Sequence, residues 1–128
     1  MTNLATIHFD GGGQTPGPVS ASCIVKLSDG SVKKAVEHFD KGTHNTAEYQ
    51  ALILGLHTAL KHGQRHVVAY GDSTVVVKQM KREWKTNNEA LLSLRTKADE
   101  LVSQFESFDV KWIPRSENRA ADELGRAK

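Results

Sequence analysis

Four carboxylates stand out by their local surroundings. Asp10 lies in "IHFDGGG" (Ile7–Gly13), Glu48 in "NTAEYQA" (Asn45–Ala51), Asp72 in "AYGDS" (Ala69–Ser73) and Asp122 in "NRAADEL" (Asn118–Leu124). Acids from four separate segments can gather a pair of hard divalent cations, which take oxygen ligands. Such a pair clamps the attacking and leaving oxygens of a phosphodiester during its displacement. That chemistry is open to this chain only if its secondary-structure elements bring the four segments to one place.

The elements are legible from periodicity and turn chemistry. Leu4–Phe9 reads as a strand stopped by Gly11, Gly12 and Gly13, with Gln14–Pro18 as a turn. Val19–Leu27 and Val32–Phe39 read as strands joined by a hairpin turn over Ser28–Ser31, where Asp29-Gly30 suits the positive φ of such turns. Thr46–His62 carries Leu52, Leu56, Ala59 and Leu60 at helical spacing and ends at Gly63. Val67–Tyr70 is a short apolar run between turn signals, as in a buried parallel strand. Ser73–Trp84 and Asn88–Phe105 read as helices, Phe108–Ile113 as a strand closed by Pro114, and Ser116–Ala127 as a last helix. The order βββαβααβα predicts an α/β chain: a five-stranded mixed sheet with helices on both faces.

Length and composition set bounds. The 128 residues suit one domain, 38% of them are hydrophobic, and the formal net charge is +2. That balance is too mild to indicate nucleic-acid binding by itself. Cys23 is the only cysteine, which excludes an internal disulfide and fits a reducing interior. The N-terminus lacks a signal-peptide pattern, and no run approaches the ~18 apolar residues of a membrane helix. The expectation is a cytoplasmic monomer with no membrane attachment.

Each acid has an ordinary reading beside the chemical one. Asp10 could simply open a turn at "DGGG", although alternation sets it opposite Ile7 and Phe9 and the glycines permit close approach of a ligand. Asn45-x-x-Glu48 fits a capping box, yet Glu48 shares the buried stripe of Leu52 and Leu56, where a carboxylate is unfavourable unless paired or metal-bound. Asp72 or Ser73 could cap the next helix, while Asp72 also stands at the carboxyl end of a parallel strand, where α/β sheets gather ligands. Asp122 lies nearly opposite Leu124 on a helical wheel, so its spacing alone indicates a solvated face. Lys78, Lys81, Arg82 and Lys85 line one face of the predicted second helix, with Trp84 beside it. That is either a solvated stripe or a phosphate track.

The four segments, their order and the C-terminal "WIPRSENRAADEL" resemble the ribonuclease H family over nearly the whole chain. The resemblance implies the ribonuclease H-like fold as a single domain over residues 1–128. It implies a metal-dependent endoribonuclease that cuts the RNA strand of RNA–DNA hybrids and leaves 5′-phosphate and 3′-hydroxyl ends. Asp10, Glu48, Asp72 and Asp122 would hold two Mg²⁺ ions, with Mn²⁺ as a substitute. Gly11, Gly12, Gly13, His44 and Asn45 would face the hybrid. Thr43, with Asn87 or Asn88, would hold a DNA-strand phosphate; Lys85 is a substrate contact only through the basic stripe, read as a phosphate track.

The chain departs from many relatives in two places. Trp84 and Asn88 are nearly adjacent, which leaves no room for the basic protrusion those relatives carry. No histidine follows His66, so the loop before Asp122 offers Arg115 and Glu117 where many relatives have a catalytic-loop histidine. The competing function is a catalytically silent hybrid-binding module on the same fold. A DNA nuclease of the wider superfamily is a third reading, opposed by "DGGG" and "HNTAEY".

Overall fold

The structure, a computed structural model, describes residues 3–13 and 17–126. Its elements are β1 (Leu4–Gly13), β2 (Gly17–Lys26), β3 (Val32–Gly42), α1 (His44–Lys61), β4 (His66–Gly71), α2 (Thr74–Met80), α3 (Glu89–Val102), β5 (Ser107–Trp112) and α4 (Arg119–Arg126). A 3-10 turn, Arg115–Glu117, precedes α4. The expected element order stands. One five-stranded sheet has the spatial order β3-β2-β1-β4-β5, antiparallel across β1, β2 and β3 and parallel across β1, β4 and β5.

Alternation along β1 sends successive side chains to opposite faces. Ala5, Ile7 and Phe9, beside Cys23 and Val25 of β2, pack under α1, where Leu52, Leu56 and Ala59 meet them in the main core. The other face carries His8, Asp10 and Ser22, and α4 lies over β1 and β2 there. Ser22 Oγ donates to the Ala121 carbonyl at 2.6 Å, and Ser20 Oγ donates to the Gly125 carbonyl at 3.0 Å. Helices therefore cover both faces, and Asp10 sits between β1 and the helix that carries Asp122.

Several expected boundaries are corrected. β1 does not stop at Phe9. It runs through the three glycines, because Gly11, Gly12 and Gly13 pair with Ala21, Ser20 and Val19 of β2. Glycine's weak strand preference is overridden by a partner strand already in register. Gly17 and Pro18, read as turn, belong to β2, and residues 14–16 of that expected turn lie outside the described residues. α1 begins two residues early, at His44. The last helix begins at Arg119 rather than Ser116, and Ala127, its expected end, lies outside the described residues.

The largest correction is α2, which ends at Met80 rather than Trp84. Arg82 turns the chain with φ 64°, and the Glu83 and Trp84 amides fold back onto the Lys78 carbonyl at 2.9 and 3.2 Å. The expected basic helical stripe is thereby broken. Lys78 pairs with Glu83 at 2.9 Å and Arg82 with Asp99 at 2.7 Å.

Candidate active site

Glu48 and Asp72 reach the site because a neighbour has taken the ordinary role of each. Thr43 is the N-cap of α1. It accepts from the Thr46 amide at 3.2 Å, and Thr46 Oγ1 accepts from the Thr43 amide at 2.8 Å, which completes a capping box without Glu48. The capping reading of Asn45-x-x-Glu48 is thus corrected: Glu48 falls in the second turn and is fully buried. Ser73 caps α2 through the Val76 amide at 3.2 Å, which leaves the Asp72 carboxylate at the end of β4 outside that cap. Asp10 opens no turn and lies inside β1.

Carboxylate oxygens of Asp10, Glu48 and Asp72 lie within 4.8 Å of one another. Gly11 makes this approach possible. A Cβ there would stand 2.3 Å from the Ala47 carbonyl carbon, so only glycine lets β1 come this close to α1. Its amide then donates to Glu48 Oε1 at 2.9 Å. That N–H is spent inside the protein, while Gly11, Gly12 and Gly13 all line the cleft.

Asp122 completes the group from the opposite wall. Its charge and its shared hydrogen bond act on Asp10, and Arg115 Nη2 lies 3.6 Å from its Oδ1. The side chain is only 19% exposed, which corrects the solvated-face reading. A helical wheel shows which way a helix face points, not which sheet face lies beneath it.

The electrostatics record the crowding. Burial, then the charges of Glu48, Asp72 and Asp122, push the Asp10 carboxyl up to about 8. Burial raises Glu48 as well, opposed by His44 and the Gly11 amide. His44 Nε2 stands 3.3 Å from Glu48 Oε2, and contact with Glu48 holds the imidazole above its ordinary value. The cleft therefore does hold a histidine, on the α1 wall rather than in the C-terminal loop.

This donor set fits a hard cation. Every gathered ligand is a carboxylate oxygen, and the buried Glu48 Oε2 accepts no well-formed hydrogen bond among the described residues. Three charges held together without a counter-ion repel, which is the state a divalent cation relieves.

A cleft of about 640 Å³ opens over the group, lined by Asp10, Gly12, His44, Asp72, Arg115 and Asp122 among others. Thr43, Asn45, Lys85, Asn87 and Asn88 do not line it. Thr43 is engaged in the capping box, and Asn88 caps α3 through the Leu91 amide at 3.1 Å. Two residues given no role from sequence do reach the site. Asn118, 1% exposed, donates to the Phe9 carbonyl at 2.9 Å and to Asp72 Oδ2 at 3.3 Å. Trp112 Nε1 donates to the Asp72 carbonyl at 3.1 Å. Both stood in the quoted C-terminal segment, Trp112 within the expected last strand and Asn118 within the expected last helix.

Fold and site together define an α/β protein with a carboxylate cluster at the carboxyl end of its parallel strands. The reverse transcriptase-like family model matches residues 8–127. Bifunctional protein Rv2228c of Mycobacterium tuberculosis is 37% identical over 121 residues, 92% of this chain and 33% of its own length. Ribonuclease HI of Halobacterium salinarum is 34% identical over 119 residues, 91% of this chain and 60% of its own length. The chain thus spans a third to three-fifths of these two relatives. The crystal structure of the Halobacterium RNase H1 superposes with a TM-score of 0.91 at 30% identity, covering 96% of this chain and 95% of that one. LC11-RNase H1, solved in complex with an RNA/DNA hybrid, superposes with a TM-score of 0.87 at 26% identity, covering 95% and 94%. The chain belongs to the ribonuclease H family.

Proposed function

We propose that residues 1–128 form a single ribonuclease H domain that hydrolyses the RNA strand of RNA–DNA hybrids, leaving 5′-phosphate and 3′-hydroxyl ends. The observation that carries this reading is the gathering of Asp10, Glu48 and Asp72 oxygens within 4.8 Å, with Asp122 set against Asp10. The complex of LC11-RNase H1 with an RNA/DNA hybrid supports the choice of substrate. The domain acts as a cytoplasmic monomer in this reading. Among the described residues, no helix is long and apolar enough to cross a membrane.

Asp10, Glu48, Asp72 and Asp122 would hold two Mg²⁺ ions, or Mn²⁺ in their place. When bound, such ions supply an activated water and charge stabilisation at the leaving oxygen. The protein's own contribution is geometric and electrostatic. Asp10 and Glu48 are fixed by the strand and helix that carry them, so the ligand oxygens are in place before ion or substrate arrives. Arg115, 69% exposed at the cleft wall, presents a planar cation to the scissile or product phosphate. Gly11, Gly12, Gly13 and His44 line the cleft where the RNA strand would run. Asn45 flanks them. Thr43, with Asn87 or Asn88, outside the cleft, would meet the DNA strand, and Lys85 a backbone phosphate.

The test is a cleavage panel of hybrid, duplex RNA, duplex DNA and single strands, with and without Mg²⁺. Cleavage confined to the RNA of the hybrid, and only with the ion, supports the reading. Hybrid binding without cleavage would replace it with the silent module. Cleavage of duplex DNA would replace it with a DNA nuclease.

A further inference from the structure

Asn118 is buried, polar and aimed at the site, and its ordinary explanation fails. Its carbonyl accepts the Asp122 amide at 3.1 Å, which places it at the start of α4. An asparagine there usually caps the helix by accepting an amide two or three residues on with its side-chain oxygen. Asn118 Oδ1 accepts nothing among the described residues, although it is buried. Leaving a buried acceptor unpaired is unfavourable, so capping is not what this side chain provides.

The amide nitrogen makes the contacts instead. Nδ2 donates to the Phe9 carbonyl at 2.9 Å and to Asp72 Oδ2 at 3.3 Å. The orientation of the amide follows from chemistry. A flipped side chain would set Oδ1 against a carbonyl and a carboxylate, three acceptors with no proton among them. One –NH₂ group thus ties the peptide preceding Asp10 to the carboxylate of Asp72. The same residue's backbone receives the turn of α4 that carries Asp122. Three acids from β1, β4 and α4 are referenced to one residue, the first two through its side chain and the third through its backbone.

We propose that Asn118 is a positioning residue that aims the Asp72 carboxylate and sets the spacing of the Asp10, Asp72 and Asp122 walls. The proposal rests on the metal-dependent reading above but concerns this chain's own geometry. Hydrogen-bond partners behind metal ligands typically matter by about 10–100-fold in metal affinity or activity.

The test is calorimetric titration of Mg²⁺ into the full chain, comparing wild type, Asn118→Ala, Asn118→Ser and Asp72→Asn. Serine keeps a good helix start but cannot reach Asp72. Both Asn118 variants should fold by circular dichroism and bind Mg²⁺ about 10–100-fold more weakly. On hybrid they should lose kcat at unchanged KM. In an Asp72→Asn background, Asn118→Ser should cause little further loss, because the contact is already altered. An equal loss in that background would overturn the proposal. So would Mg²⁺ affinity that stays unchanged while only the melting temperature falls, or failure of both variants to fold, since each makes the role purely structural. If the wild type cleaves no hybrid, the proposed activity fails, and the Mg²⁺ titration still decides the role of Asn118.

Discussion

The two walls of the cleft are built differently. On one, Asp10 and Glu48 belong to β1 and α1, the elements that form the main core, and are 7% and 0% exposed. On the other, Asp122 and Arg115 sit on a short helix and the 3-10 turn before it, with side chains 19% and 69% exposed. Packing fixes the first wall. The second is attached over a smaller area, by the burial of Ala121 and a few hydrogen bonds from Ser20, Ser22 and Asn118. The contrast separates two tasks. Concentrating negative charge needs a rigid frame that withstands repulsion, whereas meeting a phosphate that arrives and leaves suits a partly exposed cation.

The largest effect is expected on the buried wall. Asp10→Asn should abolish hybrid cleavage while the variant still folds and still binds hybrid, measured by product gels, circular dichroism and a binding titration. Near-normal turnover would remove Asp10 from the chemistry. On the exposed wall, Arg115→Ala should slow turnover by about 10²-fold, the scale of losing one electrostatic contact to a reacting group. Its melting temperature should not change. Arg115→Lys should recover only part of the rate, because lysine lacks the planar fork. Unchanged turnover in Arg115→Ala would leave the carboxylates without a basic helper on that wall.

The pH dependence of the chelated protein sharpens the contrast. Asp10 is raised from 3.8 to about 8, so the folded state holds a proton that the unfolded chain gives up near 3.8. The resulting stability is complete at low pH and is lost as pH rises through about 8. Glu48 and His44, also raised, act in the same direction. His8, lowered by burial from 6.5, acts oppositely in the range below that value. The melting temperature in chelator should therefore fall between about pH 6.5 and about pH 8.5, and Asp10→Asn should flatten the slope. An unchanged slope in that variant would mean that the crowding lies elsewhere.

The smallest effect concerns the division of labour at β4. Ser73→Ala should cost about 1 kcal/mol of stability through loss of the α2 cap, and should slow turnover less than Arg115→Ala does. If Asp72→Asn instead costs as much stability as Ser73→Ala, Asp72 is mainly a structural cap.

What could be read in the sequence follows the same division. Glu48 was legible because it shares a stripe with Leu52 and Leu56, where an acid has no ordinary place. The sheet was legible from alternation and the Ser28–Ser31 turn. Capping was ambiguous wherever two polar residues stood together. Thr43 against Asn45, and Ser73 against Asp72, differ by geometry that local pattern does not encode. The end of α2 was hidden because Arg82, not glycine, takes the positive φ. Asp122 was invisible by spacing because its direction depends on α4 lying over β1 and β2, and only the family resemblance singled it out. Asn118 was missed because its bonds run to Phe9 and Asp72, 109 and 46 residues away.

The central claim is that the buried carboxylates form one cation-dependent centre. It is tested most directly by titrating Mg²⁺ into chelated protein at about pH 9, above the raised Asp10 carboxyl, where carboxylate protons compete less, while reading melting temperature and hybrid cleavage on the same samples. Both should rise together with Mg²⁺ in the wild type, through stabilisation of the folded state by a ligand it alone binds. Neither should respond in Asp10→Asn. Cleavage that proceeds in chelator, or a melting temperature that ignores Mg²⁺ while cleavage depends on it, would contradict the account.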